Sequence, residues 1–336
     1  MNAGLVSIVI VNYNGADILG RCLDGVHAQS YRPIEVIVVD NHSTDDSIER
    51  MRGRFPQVRV VECERNLGFA GGNNRGVAVA QGEYVVLLNN DTVVDALWLI
   101  NLVAMMQQAD IGAVTSKVVT DGVPSEFYEQ NGTINYLGYN IMREFSDLSQ
   151  VFFASGASLM FRREEVGRPF LDEYFIYQED VFLSWKIRLL GKTVAMAQQS
   201  VVHHTGSVTV RQQSSSLVTF FQERNRLLNA LLFYEARTLL LLIPYFVFDG
   251  VAKLLLSVVS KRKSLSGIVQ SYWWLTTHTS WINRERSNLQ SRRRVQDKHI
   301  MNLMSHRIID GRSLPASFLN GVSKVYARVA GLGYHD

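Results

Sequence analysis

The sequence predicts an α/β fold built on a mostly parallel sheet with helices on both faces, and three observations carry that prediction. Continuous apolar, β-branched-rich runs at residues 6–11, 34–39 and 84–88 lack polar alternation, as strands buried on both faces do. Between the first two stand Ile18, Leu19, Cys22, Leu23 and Val26, apolar residues at helical spacing. Strand-like and helix-like segments then alternate through the first half of the chain, the pattern of crossover-linked parallel strands. With 336 residues and 47% apolar composition, the chain can bury one large α/β core plus an appendage.

Each element follows in order. The strand at 6–11 leads to the helix at 18–26, and the strand at 34–39 ends at Asp40. A short polar helix from about Asp45, a strand at 58–61 and a Gly-rich turn opening a helix near Gly72 precede the strand at 84–88. Residues 95–108 read as a helix and 113–119 as a strand, after which 120–150 turn polar and Gly- and Tyr-bearing, a loop or small antiparallel excursion. An apolar run at 152–161, a helix opening at Glu179 and a strand at 193–197 complete the first region, taken as residues 1–215. The second, residues 216–336, is helical: Phe220, Phe221, Leu227, Leu228 and Leu231 recur at helical spacing, and the uncharged run at 238–248 is broken by Pro244. That run is too short to span a bilayer, which needs about 20 apolar residues, and reads as an in-plane or re-entrant helix.

The net charge of +3 conceals an asymmetry. Residues 1–216 carry 17 Lys and Arg against 24 Asp and Glu, whereas residues 217–336 carry 17 against 7. The basic half is interleaved with apolar and aromatic runs, which favours an anionic membrane surface over nucleic acid. Lys261-Arg262-Lys263, Arg284, Arg286 and Arg292-Arg293-Arg294 would supply the positive charge. Cys22 and Cys63, the only cysteines, have no metal spacing and read as reduced thiols of a cytoplasmic protein, and no basic stretch or cleavage site precedes the first strand.

Chemistry concentrates at strand ends. Glu179 and Asp180 open a helix, where the positive N-terminal field favours an acid, and His203 and His204 follow a strand. Asn89-Asn90-Asp91 follows the strand at 84–88, and in open α/β sheets ligands bind at the carboxyl ends of strands. This company of acids and histidines suggests a base and a metal. Asp40 stands at another strand end, placed to accept from a nucleobase or ribose, although Asp, Asn and Ser there also stabilise turns. Gly71 and Gly72 would let backbone approach a ligand at a helix N-terminus. A dinucleotide fingerprint is absent, since Val11-Asn12-Tyr13-Asn14-Gly15 supplies a single glycine, and Gly191-Lys192-Thr193 lacks the upstream glycine of a phosphate loop.

Seven segments in order, residues 7–14 (SIVIVNYN), 38–43 (VVDNHS), 66–76 (NLGFAGGNNRG), 87–92 (LLNNDT), 156–160 (GASLM), Glu179-Asp180 and 203–207 (HHTGS), resemble the inverting nucleotide-sugar glycosyltransferases of family 2, most closely their rhamnosyltransferase-like branch. The resemblance covers about the first 210 residues. It implies a GT-A fold and transfer of a sugar, rhamnose in that branch, from a dTDP-, UDP- or GDP-linked donor to a glycan or lipid-linked acceptor at the inner face of the cell membrane. Asp180 would be the base with Glu179 beside it. Val11, Asn12, Asn14, Asp40, Asn66, Gly68, Gly71, Asn74 and Asn90 would hold the nucleotide sugar, and Gly156 and Ala157 the acceptor. Asp91 and His203 would bind Mg²⁺ or Mn²⁺, with His204 as the other choice. Asn89 and Phe182 depart from acids common at those positions in the family, which leaves a catalytically weak nucleotide-sugar or lipid binding module as the alternative. A nucleotidyltransferase is more distant, because no basic Gly-rich loop follows the first strand.

Overall fold

The computed structural model describes residues 2–120, 132–141, 151–204, 215–259, 264–308 and 314–334. The chain divides into two compact units: Met1–Asn131, Glu144–Ile187 and Lys192–Arg211 form one, and Gly132–Arg143, Arg188–Gly191 and Gln212–Asp336 the other.

In chain order the elements up to residue 204 are β1 (Asn2–Asn12), α1 (Leu19–His27), β2 (Ile34–Asp40), α2 (Ser47–Arg54), β3 (Arg59–Glu62), α3 (Gly68–Val79), β4 (Gly82–Asn89), β5 (Thr92–Val94), α4 (Trp98–Met106), β6 (Ile111–Thr120), β7 (Thr133–Ile134), β8 (Asn140–Ile141), β9 (Ser158–Arg162), α5 (Arg163–Val166), α6 (Glu179–Leu189) and β10 (Thr193–His204). An eight-stranded sheet in the order β3-β2-β1-β4-β9-β6-β10-β5 forms the first unit. The pairs β3·β2, β2·β1, β1·β4 and β6·β10 are parallel; β9 runs antiparallel to both β4 and β6, and β5 antiparallel to β10. The carboxyl ends of β1, β2, β4, β6 and β10 and the amino end of β9 therefore share one edge of the sheet. This is the edge where ligands bind in open α/β sheets.

The strands read from sequence form as buried runs because helices cover both faces: Ile8, Ile10, Val38, Val86 and Leu88 pack in one cluster with Leu23 of α1 and Trp98, Leu99 and Leu102 of α4, while Val9 and Val39 on the other face lie against Gly76 of α3. Trp98 is fully buried and donates its indole N–H to the hydroxyls of Ser116 and Ser158, 3.0 and 2.9 Å away, tying α4 to β6 and β9. Two details differ from the sequence reading. The run at 152–161 is a strand only from Ser158, and it inserts antiparallel between two parallel strands. Helix α3 begins at Gly68 rather than near Gly72, because Gly68 adopts φ +69° and any Cβ there would collide with the Phe175 carbonyl.

The second unit is helical: α7 (Ser215–Phe233), α8 (Ala236–Val259), α9 (Leu265–Thr277), α10 (Thr279–Gln290), α11 (Asp297–Met301) and α12 (Leu314–Ala330), with the β7·β8 hairpin. The small antiparallel excursion expected within 120–150 is this hairpin, and it belongs with the helices and not with the sheet; the remainder of that stretch lies outside the described residues. Pro244 does not break α8, contrary to the sequence reading. Buried Leu242 and Tyr245 anchor the helix on both sides of the proline, and the Tyr326 hydroxyl donates to the Leu241 carbonyl at 2.7 Å. Such tertiary contacts offset the roughly 3 kcal/mol that an interior proline costs. The helix that results contains a window, Ala236–Leu255, long and apolar enough by length and composition to cross a bilayer, with mean hydropathy 1.8. That length exceeds the run on which the sequence reading rested. The basic run at 261–263 lies outside the described residues.

Candidate active site

The acids and histidines picked out in the sequence meet at the ligand-binding edge. Asp91 follows β4 and is buried, and the strand register selects its histidine. In the antiparallel pairing of β10 with β5, His204 stands opposite Thr92, His203 opposite Val93 and Val202 opposite Val94. Successive strand residues point to opposite faces. His204 thus brings its Nε2 to 3.1 Å from Asp91 Oδ1, whereas His203 turns the other way and pairs with exposed Asp95, also at 3.1 Å. The expected His203 partner of Asp91 is corrected to His204; the spacing to Ser207, on which the sequence reading chose, carries no information about register. Gly206 and Ser207 lie outside the described residues.

The Asp91–His204 contact suits a divalent cation. Neither ring nitrogen of His204 makes a hydrogen bond, so the 3.1 Å approach to the carboxylate lacks hydrogen-bond geometry. Two neighbouring ligands at about 2.1 Å from one octahedral ion stand about 3 Å apart. Asn89, the last residue of β4, has a buried Oδ1 with no hydrogen-bond partner. Among the described residues no group of three or more His, Cys, Asp or Glu gathers.

Glu179 and Asp180 open α6 as the sequence predicts. Burial pushes both carboxyls up from the ordinary range, and the negative charge of Asp180 raises Glu179 further. Three backbone N–H groups oppose this at Asp180, those of Val181, at 2.7 Å, of Gly156 and of Asp180 itself. Glu179 Oε2 is buried with no hydrogen-bond partner. Hydrogen bonds to a carboxylate favour its charged form, so Glu179 keeps the proton and Asp180 is the anion. The two sites are linked through the backbone: the Asn89 N–H donates to the Ala157 carbonyl at 3.1 Å, and the neighbouring Gly156 donates to Asp180. A Cβ on Gly156 would touch the Phe69 ring at 3.4 Å and Asp180 at 3.8 Å, so this glycine keeps a narrow passage between ring and carboxylate. Ala157 is buried and its carbonyl accepts that Asn89 N–H.

Backbone strain marks the same edge. Among the described residues, the non-glycine positions with positive φ are Asn14, His42, Phe175, Tyr177 and Gln178, all in loops there, and three of them immediately precede Glu179. Such conformations cost of order 1–3 kcal/mol each and persist where surrounding structure over-determines them. Here the Phe175 carbonyl accepts the Ala70 N–H at 3.1 Å, locking the loop onto the start of α3.

Several residues expected to hold nucleotide have other tasks. Asn12 is fully buried; its amide donates to Ser47 and Ser43 and accepts from Asn90, at 2.9, 3.2 and 3.0 Å. Asn14 accepts from the Thr44 N–H at 2.8 Å, and Asp40 from the Ser43 N–H at 3.0 Å. These residues shape the loops after β1 and β2, and Val11 and Asp40 remain half-buried at the strand ends. Asn66 accepts from Asn41 and from the Gly68 N–H, closing the turn into α3. Asn74 clamps the loop before α6, donating to the Phe170 carbonyl and Asp172 at 2.9 and 2.7 Å and accepting from the Phe170 N–H. Gly71 and Gly72 serve packing: a Cβ on Gly72 would meet Val11 at 2.8 Å, and one on Gly71 would meet Leu67. Sequence reasoning missed Asn41, whose amide bridges Leu67 and Gly68 at 2.8 and 3.1 Å; its one signal was its place after Asp40.

A sheet of this order, with an antiparallel strand inserted beside the acid-bearing strand end and a carboxylate pair opening the helix opposite, has the GT-A architecture. Residues 7–167, just under half of the chain, match the model of Glycosyl transferase family 2. Glycosyltransferase GlyG of Streptococcus pneumoniae is 34% identical over 33% of this chain and 38% of its own length. The O-antigen chain rhamnosyltransferase RfbN of Salmonella typhimurium is 25% identical over 62% of this chain and 68% of its own. Among solved structures, GalNAc-T7 with UDP, GalNAc and Mn²⁺ superposes with TM-score 0.60 at 18% identity, covering 70% of this chain and 49% of that one. TarS of S. aureus superposes with TM-score 0.51 at 16% identity over 97% of this chain and 53% of that one. The chain spans between about a third and two thirds of the length of these curated relatives.

Proposed function

We propose that the chain is an inverting, metal-assisted glycosyltransferase that moves a sugar from a nucleoside-diphosphate donor to a hydroxyl of a cell-surface glycan or its lipid-linked precursor. The observation that supports it most is the division of labour at one sheet edge: an ionised Asp180 backed by a protonated Glu179, linked through Gly156 and Ala157 to Asp91 and His204. Asp180 accepts the proton of the acceptor hydroxyl as its oxygen attacks the anomeric carbon from the face opposite the diphosphate. The carbon–oxygen bond to the diphosphate breaks as the new bond forms, so a single displacement inverts configuration. Asp91 and His204 would hold Mg²⁺ or Mn²⁺, which supplies positive charge against the leaving diphosphate. Phe69, against Gly156, narrows the space in which the acceptor oxygen and Asp180 meet.

The similarity to RfbN supports rhamnose as the sugar to test first and a cell-surface polysaccharide as the product. Membrane contact draws on the second unit. Helix α8 exposes Leu240, Ile243, Val247, Val251 and Leu255 at helical spacing, and α12 exposes Phe318, Val322, Val325 and Val329 in the same way. These stripes, with the basic excess of residues 217–336, suit in-plane docking on anionic lipid. The test of the catalytic reading is a panel of dTDP-, UDP- and GDP-sugars scored for protection against melting and for hydrolysis, with Mn²⁺, Mg²⁺ or chelator. Protection by at least one donor that grows with metal is the expected result, and indifference to all donors would return the chain to the binding-module reading.

A further inference from the structure

A cavity on the first unit is lined by none of Asp91, Asp180 and His204. It has a volume of about 670 Å³ and is walled by α3, by α5 with the turn after it, and by the loop before α3. Four arginines line it, Arg65, Arg75, Arg163 and Arg168, against two acids, Glu164 and Asp172. Two of the four are engaged: Arg163 donates to the Gly82 carbonyl at 3.0 Å and Arg168 pairs with Asp172 at 2.7 Å. Asp172 is further held by Asn74, so this pair is part of the wall. Arg65 and Arg75 are exposed and make no hydrogen bond or ion pair among the described residues. The α3 wall presents Gly71, Asn74, Arg75 and Ala78, one turn apart, and the small residues there give the cavity its depth.

We propose that this cavity binds an anionic saccharide, a sugar ring carrying a phosphate or carboxylate. Arg65 and Arg75 receive the anion, which a planar guanidinium does with two parallel N–H donors. No aromatic side chain lines the cavity, so it offers a nucleobase nothing to stack on. Its volume exceeds the need of a lone inorganic anion and falls within the range of small-molecule sites. Leu67, Val77 and Ala78 supply apolar wall for the non-hydroxylated face of a ring. The proposal does not depend on the transfer reaction.

Calorimetric titration of the full chain, without metal or nucleotide, tests it with four probes: glucose 6-phosphate, glucuronate, glucose and inorganic phosphate. At least one of the two anionic sugars should bind in the millimolar range or tighter, and which one does identifies phosphate or carboxylate as the anion. Glucose and inorganic phosphate should bind more weakly. Arg75→Glu should weaken the anionic sugar about tenfold or more, the loss of one charge-assisted hydrogen bond. Arg75→Lys should lose less, and Asp91→Ala should leave binding unchanged. Because Arg75 is exposed on α3, both Arg75 variants should melt with the parent. The proposal is overturned if neither anionic sugar binds, if glucose or phosphate binds equally, if Arg75→Glu has no effect, or if Asp91→Ala abolishes the signal.

Discussion

Both units bury carboxylates, but they treat them oppositely. In the helical unit Glu223 and Asp249 are each paired with both Arg226 and Lys253, at 2.6 to 2.9 Å, and the Tyr139 hydroxyl also donates to Asp249. Two negative charges face two positive ones, and Tyr139 of the β7·β8 segment is fastened to α7 and α8 by the same network. In the sheet unit Glu179 and Asp180 are adjacent acids of which one keeps its proton, and the groups that lower their pKa values are backbone N–H donors, not cations. A compensated cluster holds architecture, whereas an uncompensated one is kept for chemistry, since it shifts protonation toward working pH at a cost in stability.

The largest expected effect breaks the comparison at its reactive side. Asp180→Asn should lower transfer by about 10² to 10⁴, the range for loss of a general base, while donor affinity stays within a few-fold. Next, His204→Ala should weaken the metal response and transfer together, and His203→Ala should change neither by more than a few-fold; activity titrated with Mn²⁺ reads both. Loss confined to His203→Ala would place the register argument in error.

On the architectural side, Arg226→Met should destabilise by about 3–5 kcal/mol, because Glu223 and Asp249 are left short of positive charge. Denaturant unfolding of the purified variant measures it. The smallest effect is a pH dependence. Burial and the neighbouring Asp180 raise the folded pKa of Glu179 from the ordinary 4.5 to about 8, so its contribution to stability is full below the ordinary value and is lost as pH rises through the raised one. Glu179→Gln, which cannot ionise, should flatten the fall in stability with pH across this window and keep most of the activity at neutral pH. A steeper fall in the variant would reverse the assignment of the proton.

The sheet was legible because buried parallel strands write themselves as continuous apolar runs, as at residues 6–11 and 84–88. The acids were legible because Asp91 and Asp180 stand at a strand end and a helix start. What pairs with what was not. His203 and His204 differ only in strand parity, which depends on pairing with β5, a three-residue strand without a sequence signal of its own. Asn12 and Asn74 look like ligand contacts in a motif but spend their amides on loops distant in sequence. The arginine-lined cavity draws on segments nearly a hundred residues apart, and Glu223 and Asp249 come together with Arg226 and Lys253 only where α7 meets α8. In each case the missing information is long-range pairing, which local spacing does not encode.

The central claim is that the uncompensated carboxylates serve chemistry and the compensated ones serve the fold. Its most direct test measures transfer rate and melting temperature for Asp180→Asn and Arg226→Met side by side, with the parent as reference. The account predicts a crossed result: Asp180→Asn loses transfer by about 10² or more yet melts at or above the parent, since a buried charge beside Glu179 is gone, while Arg226→Met melts lower and keeps its rate per folded molecule. If instead Asp180→Asn melts well below the parent with transfer intact, the carboxylate pair is structural and the base lies elsewhere.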